Sequence, residues 1–250
     1  MNLADAITEW IRTQVEQAGA KGAIVGLSGG IDSAVVSALA ARGLGRDRVL
    51  GVMMPAHSHP EDVAHAEEGA RSCGIPTITV DLSGVFDLLR QTLPPGNDLA
   101  VANLKPRLRM LTLYYLANTR GFLVAGTGNK SELMAGYFTK YGDGGVDILP
   151  LGGLYKHQVR ELARELSCPV SIIEKPPSAG LWAGQTDEAE MGITYEDLDS
   201  ILAAIERGDT SGFPPEKVER VLGMMARSEH KRHTPPVFEP GQVQGKAGSH

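Results

Sequence analysis

The sequence predicts an α/β fold: a single domain built on one parallel sheet with helices on both faces. Three observations predict it. Short apolar or β-branched runs alternate with longer helical segments through most of the chain, the order that builds a parallel sheet. A glycine-rich turn, LSGGIDS at residues 27–33, joins the first such run to an alanine-rich one. Apolar residues make up 42% and charged ones 22% of the 250 residues, an ordinary balance for a globular chain long enough to bury a substantial core.

The elements follow in order. Leu3, Ile7, Trp10, Ile11 and Val15 recur at helical spacing among charges, which predicts an amphipathic first helix and not a signal peptide. Residues 23–27 are short and β-branched, as a buried strand requires, and 34–41 are alanine-rich and long enough for a helix. Residues 49–54 read as a second strand, 61–72 as a helix, and 77–80, introduced by Pro76, as a third strand. A long helical region covers 99–118, and the fourth strand, 122–125, is entered through Gly121. A short further strand is expected at 147–150, before an amphipathic helix at 154–166. Residues 174–192 hold two prolines and three glycines with little periodicity, so they are expected to form a mobile loop over the site and not a linker. Helices at 195–206 and 215–227 complete a unit spanning 1–236, and the tail, 237–250, is expected to be disordered.

Composition narrows the setting. A net charge of −6 argues against a nucleic-acid binder, which normally carries a basic field. Two cysteines, Cys73 and Cys168, make neither a disulfide framework nor a CxxC motif and read as inert thiols of a reducing compartment. No apolar run is long enough to span a membrane, so a cytoplasmic protein is expected.

The turn at 27–33 carries the first chemistry. A strand, a tight glycine turn and a helix start leave free N–H groups and the positive end of a helix dipole facing whatever lies above, and the natural guest is a phosphate. Ser28 and Ser33 add hydroxyl donors. Asp32 puts a carboxylate beside an anion site, which makes sense when Mg²⁺ lies between them. A purely structural glycine turn would need none of these three side chains. The chain has no GxxxxGK[ST] phosphate loop, and the turn is not a GxGxxG fingerprint.

Four further stretches add to it. GTGNKSELMAGYFTKYGDGGVD, residues 126–147, begins where the fourth strand ends, so it lies beside the turn; it supplies Glu132, Lys140, Asp143 and Asp147, with Tyr137, Phe138 and Tyr141 interleaved. NLKPRLRM, residues 103–110, offers Arg107 as an anion clamp. KPPSAGLWAGQTDE occupies residues 175–188, and EHKR, residues 229–232, is a dense basic patch.

SGGxDS resembles the pyrophosphate-binding loop of the N-type ATP pyrophosphatases, which cleave ATP between its α and β phosphates. GMP synthetase, asparagine synthetase, tRNA thiolases and NAD synthetase share that loop. In order and spacing, the five stretches together resemble the ammonia-dependent NAD synthetase family from Gly26 to Pro236. The resemblance implies a Rossmann-like, adenine nucleotide alpha hydrolase-like fold. It implies a ligase for the last step of NAD biosynthesis: ATP-dependent amidation of nicotinic acid adenine dinucleotide (deamido-NAD) with ammonia, through an acyl-adenylate, to NAD, AMP and pyrophosphate. It implies ATP contacts from Gly26, Leu27, Ser28, Gly29, Gly30, Ile31, Asp32, Ser33, Thr127, Lys156 and Ser178. It also implies Mg²⁺ ligation by Asp32 and Glu132, deamido-NAD contacts from Arg107, Lys140, Asp147, His230 and Lys231, and an obligate homodimer.

With the family in view, Lys156, the loop amides and Mg²⁺ are placed to absorb charge building on the phosphates. Asp143 lies between Lys140 and Asp147 and is expected to bind ammonium and take its proton, against the alternative of a purely structural turn aspartate. Leu104, Leu108, Leu111, Tyr115 and Leu116 exceed what one helix face needs and are expected to meet a two-fold mate. Glutamine-dependent relatives carry an extra domain with a nucleophilic cysteine. Because the first motif begins near residue 26 and only two cysteines exist, free ammonia is the expected nitrogen source.

Two departures stand out. Pro106 lies where an uninterrupted helix former is expected, so either a helix starts there or it kinks. MMPAHSHPED, residues 53–62, departs further, and no residue is carried over from it. Its His57 and His59, with His65, are weighed as a metal cluster against a loop lining the adenine pocket, and the loop is favoured. Two rivals remain: a nucleotide-binding sensor of similar fold, against which Glu132 and the 140–147 segment argue, and another amidotransferase of the same superfamily.

Overall fold

Residues 2–180, 182 and 184–238 are described by a computed structural model. β1 (Gly22–Leu27), β2 (Val49–Met53), β3 (Thr77–Thr79) and β4 (Phe122–Ala125) form one parallel sheet in the order β3-β2-β1-β4. The chain steps outward from β1 to β2 and β3, then returns to the opposite side of β1 with β4. Strand order therefore reverses between β1 and β4, and in such sheets ligands bind at the crevice beyond the carboxyl ends of the reversing pair. β1 pairs with β2 from Ala23↔Val49 to Leu27↔Met53 and with β4 from Gly22↔Phe122 to Val25↔Ala125. β2 is buried throughout and β1 nearly so, as sheet interiors covered on both faces require.

One face is covered by α1 (Leu3–Gln17), α2 (Ile31–Leu44), α3 (Pro60–Cys73), α8 (Lys156–Glu165) and α9 (Val170–Ile173), which close a core with β1 and β2. Ile7, Ile11 and Val15 of α1 are buried as the period predicts; Ala4 joins them, while Leu3 and Trp10 lie outside. The other face is covered by α4 (Ser83–Thr92), α5 (Asp98–Ala102) and α6 (Leu104–Arg120), of which α6 packs on β1 and β4. A third apolar cluster lies off the sheet. It joins α7 (Lys130–Ala135), α10 (Asp187–Met191), α11 (Tyr195–Arg207) and α12 (Pro215–Arg232) through Tyr195, Leu198, Ile201, Leu202 and Val221.

The structure corrects several expectations. The region 99–118 is two helices, with Asn103 closing α5 and Leu104 opening α6. Pro106 falls in the first turn of α6, where its missing N–H is harmless, so the helix starts there and does not kink. Helix α4 was not expected at all. Instead of a strand, 147–150 supplies a single parallel bridge, Ala125↔Ile148. Residues 174–192 contain the short helix α10, capped by the Thr186 hydroxyl. Leu108 and Leu116 pack against their own core, which takes them out of the outward-facing set; Leu111 and Tyr115 are 63% and 70% exposed. Of the tail 237–250, Val237 and Phe238 are exposed and residues 239–250 lie outside the described residues.

Candidate active site

The phosphate loop is held by its own residues. Gly29 adopts φ +76°, and a Cβ there would sit 2.3 Å from the Asp62 carbonyl oxygen, so only glycine fits. The Ser28 hydroxyl accepts the Gly30 N–H at 3.2 Å, and the Ser33 hydroxyl donates to the Gly30 carbonyl at 2.9 Å. Gly30 is the N-cap of α2, so the first N–H groups of a 14-residue helix face the crevice. Gly26, Leu27 and Ile31 are backbone neighbours of this turn, and Leu27 and Ile31 bury their side chains in the core.

β4 leads across the crevice into α7. Asn129 caps that helix in a reciprocal box with Glu132: its side chain accepts the Glu132 N–H, and Glu132 accepts the Asn129 N–H. The Asn129 amide also donates to Asp32 Oδ1 at 2.9 Å, tying α7 to α2. From α8, the Lys156 ammonium lies 2.6 Å from Asp32 Oδ2 and 3.1 Å from Glu132 Oε1, with only 2% of its side chain exposed. The expected metal ligands and Lys156 therefore converge, from three separate elements, at the sheet's reversal point.

Buried Asp199 of α11 secures Lys156. It accepts the His157 N–H at 3.0 Å and the Ser131 hydroxyl, whose oxygen in turn accepts the Lys156 N–H. An anion at the start of α8 is also favoured by the helix dipole. Burial alone would lower the Lys156 pKa, but the charges and hydrogen bonds of Asp32 and Glu132 raise it above its ordinary value. Burial pushes the Glu132 carboxyl up, to about 7, with Lys156 opposing and Asp32 adding to the rise. A buried cluster with more carboxylates than ammonium groups suits a further cation. Mg²⁺ is commonly held by one or two carboxylates together with phosphate oxygens and water, so Asp32 and Glu132 fit it. Among the described residues no group of three or more His, Cys, Asp or Glu side chains is arranged to hold a metal.

The basic residues expected at the dinucleotide gather around 136–140. Lys231 of α12 donates to the Gly136 and Phe138 carbonyls, each at 2.8 Å; Lys140 donates to the His230 carbonyl; and Arg107 reaches the Lys140 carbonyl at 3.4 Å. Asp147 instead anchors the crevice edge, accepting the Tyr114 hydroxyl at 2.9 Å and the Val124 N–H at 2.8 Å. Asp143 Oδ1 accepts the Thr139 N–H at 2.9 Å within the glycine-rich turn. Thr127 lies half-buried between β4 and α7, and exposed Ser178 accepts the Gly180 N–H. His57 pairs with Asp87 and His65 with Lys175, so these two histidines turn to different partners.

Sequence reasoning missed Asn129, Asp187, Tyr195, Asp199 and Arg109. Only Asn129 carried a local signal, its N-x-x-E capping box. Arg109 holds α6 to the loop after β2 through the Met54 carbonyl and the Ser58 hydroxyl.

Comparison with known proteins places the chain in a family. An ammonia-dependent NAD⁺ synthetase of Archaeoglobus fulgidus is 49% identical over 237 residues, covering 94% of this chain and 95% of that one. Among solved structures, an NMN synthetase from Francisella tularensis superposes with a TM-score of 0.88 at 36% identity, over 94% of this chain and 97% of that one. The ammonia-dependent NAD synthetase of Campylobacter jejuni gives 0.83 at 26% identity, over 96% and 100%. The NAD synthase family model matches residues 3–235, and the chain belongs to that family.

Proposed function

We propose that the chain is an ammonia-dependent NAD synthetase, amidating deamido-NAD at the expense of ATP. The observation that carries this reading is the meeting of Asp32, Glu132 and Lys156 at the reversal point of the sheet, beside the open start of α2. A carboxylate is a poor acyl donor, and adenylation turns one of its oxygens into part of a good leaving group. The nicotinate carboxylate attacks the α-phosphorus of ATP and pyrophosphate leaves; ammonia then attacks the acyl-adenylate and AMP leaves. The α2 amides with Ser28 and Ser33 hold the pyrophosphate, and Lys156 neutralises charge on the phosphates as it builds. Mg²⁺, held by Asp32 and Glu132, would withdraw charge from the same phosphates. Thr127 and Ser178 complete the ATP contacts, and Arg107, Lys140, Asp147, His230 and Lys231 hold the dinucleotide. Asp143 receives ammonium and takes its proton.

The homodimer belongs to the same reading. Leu111 and Tyr115, one turn apart on α6, turn apolar side chains outward as a two-fold mate requires. No described helix is long and apolar enough to cross a membrane, and a cytoplasmic enzyme is proposed.

A substrate panel tests the function. AMP and pyrophosphate should form with ATP, ammonium and deamido-NAD; nicotinic acid mononucleotide belongs in the panel because of the similarity to an NMN synthetase. Asp32→Asn and Glu132→Gln should abolish adenylation while sparing dinucleotide binding. Retained Mg²⁺-dependent pyrophosphate release in both variants would remove these carboxylates from the metal site, and AMP formation only with other acids would overturn the substrate.

A further inference from the structure

Arg109 of α6 plays no part in the chemistry above, and the fold answers only one side of its guanidinium. Nε donates to the Met54 carbonyl at 3.1 Å and Nη2 to the Ser58 hydroxyl at 3.3 Å. A guanidinium has five N–H donors, and these two bonds occupy one edge of it. The end formed by Nη1 and Nη2 keeps its donors for a further acceptor. Among the described residues no carboxylate forms an ion pair with Arg109. The residue is half-buried, and burial lowers its pKa although the charges of Asp143 and Asp62 act in the opposite direction. A cation drawn out of water is costly without an anionic partner, and an anion brought in by a ligand would supply one.

Helix α6 brings this cation to the crevice. Arg109 lies one turn from Pro106 and one turn from Leu113, so the three share a face. A Cβ on Gly142 would stand 3.0 Å from Pro106, and one on Gly26 would stand 3.4 Å from Leu113 and 3.3 Å from Met54. The face therefore packs between the turn that holds Asp143 and the start of the phosphate loop, and the guanidinium reaches the end of β2 beside them. The reacting centre must lie between those two sites. The phosphate that parts from pyrophosphate is carried on the carbonyl that ammonia then attacks.

We propose that Arg109 is a catalytic residue that grips the α-phosphate of ATP, keeps it in the acyl-adenylate and stabilises it as AMP departs. This deepens the proposed function and rests on its adenylation step. The charge on that phosphate grows at the end of the reaction. In the acyl-adenylate it is a monoanion, bonded to ribose and to the acyl carbon. As ammonia attacks, a C–N bond forms, the C–O bond to the phosphate breaks, and the electron pair stays on the phosphate oxygen. The nitrogen sheds a proton, and AMP leaves as a dianion. A guanidinium whose side edge is fixed by Met54 and Ser58 presents its end-on fork to two phosphate oxygens, which favours the more highly charged leaving group.

Binding of AMP against adenosine tests the contact without turnover, because the two ligands differ only in the phosphate. Each is titrated by calorimetry into the full-length protein with saturating Mg²⁺ and pyrophosphate, which fill the phosphate loop and leave the adenylyl position open. The wild type should bind AMP at least about tenfold more tightly than adenosine. Arg109→Gln should weaken AMP at least about tenfold while adenosine changes less than about threefold. Arg109→Lys keeps the charge and loses the fork, so its AMP affinity should fall between the two. A residue that only clamps the loop after β2 would weaken both ligands alike and leave their ratio at the wild-type value, and that outcome overturns the proposal. Equal affinity of the wild type for AMP and adenosine overturns it as well, whether or not the variants fold. Absence of AMP formation with every acid in the substrate panel would overturn the functional reading, while the AMP-to-adenosine ratio would still decide whether Arg109 grips the phosphate.

Discussion

The phosphate loop and the carboxylate–lysine cluster share one crevice and are built by opposite means. The loop is local: the Ser28 and Ser33 hydrogen bonds that shape it stay between residues 28 and 33, and one glycine with positive φ seats it on Asp62. The cluster is distributed. Lys156 meets Asp32 across 124 positions and Glu132 across 24, and the hydroxyl beneath them comes from a helix 63 positions beyond Glu132. A local device depends on its own backbone and tolerates events elsewhere. A distributed one inherits the stability of every layer that contributes to it, so remote substitutions in the helical layer should reach the chemistry while sparing the loop.

Lys156→Met breaks the distributed side most severely. It leaves Asp32 and Glu132 facing each other without their shared cation, and removing one partner of a buried ion pair costs about 3–5 kcal/mol. Urea unfolding should show a loss of that size, with AMP formation abolished. Mg²⁺ should restore part of the lost stability, since a metal can replace the missing charge. A stability loss below about 1 kcal/mol, the worth of an exposed pair, would mean that the cluster is not a buried joint.

Leu202→Ala probes the same dependence from a distance. Leu202 is 1% exposed in the apolar cluster of α7, α10, α11 and α12, and such truncations cost about 2–5 kcal/mol. The cavity should loosen α11, and with it Tyr195 and the Asp199 bond that seats Lys156. Small displacements of positioning groups carry large rate penalties, so adenylation should slow at least about tenfold, while ATP affinity, set by the loop, changes less than about threefold. An equal loss in both quantities would erase the contrast between the two regions.

The same contrast explains what could be seen in the sequence. The loop was legible because its glycines, serines and aspartate stand within a few residues and each is explained by one local geometry. The four strands were legible from short apolar runs between turn residues. Helix α4 was missed although Val85, Phe86, Leu88 and Leu89 recur at helical spacing, of which Phe86 alone is buried. The break at Asn103 was hidden by helix-compatible residues on both sides, although Pro106 marked the new start. Tyr195 and Asp187 look in sequence like a core aromatic and a surface acid. The Tyr195 hydroxyl reaches both Asp187 and Glu132, a contact that no periodicity records.

Gly29→Ala breaks the local side. The left-handed conformation costs a residue with a Cβ about 1–2 kcal/mol, and the methyl group would have to displace the Asp62 carbonyl. Displacing that carbonyl adds to the backbone cost, so melting should fall by more than about 4 °C, as expected for a loss above about 2 kcal/mol in a domain of this size. ATP affinity should fall at least about tenfold, because the amide nest is re-aimed at the phosphates. Lys156 and its two carboxylates should be undisturbed, so Mg²⁺ should still stabilise the variant without nucleotide. Unchanged ATP affinity would show that the turn does not set the phosphate site.

Asp143→Asn carries the smallest structural effect and separates a turn residue from a reacting one. Asparagine keeps a side-chain oxygen for the Thr139 N–H, so stability should change by less than about 0.5 kcal/mol. What disappears is the charge. Crowding around the Asp143 carboxyl raises its pKa even though solvent reaches the residue, with the Thr139 bond and the Lys231 charge opposing, and a raised pKa makes it a better base. Ammonium must shed a proton before nitrogen can attack the acyl-adenylate. The free-ammonia share falls about tenfold with each unit of pH below the ammonium pKa, so a proton acceptor at the site matters more as pH drops toward 6. The variant should form adenylate at the wild-type rate and release NAD more slowly, with a deficit that widens from pH 8 to pH 6. Rapid-quench measurement of pyrophosphate and NAD in the same reaction separates the two steps. Equal NAD rates for variant and wild type across that range would leave Asp143 the holder of its turn and nothing more.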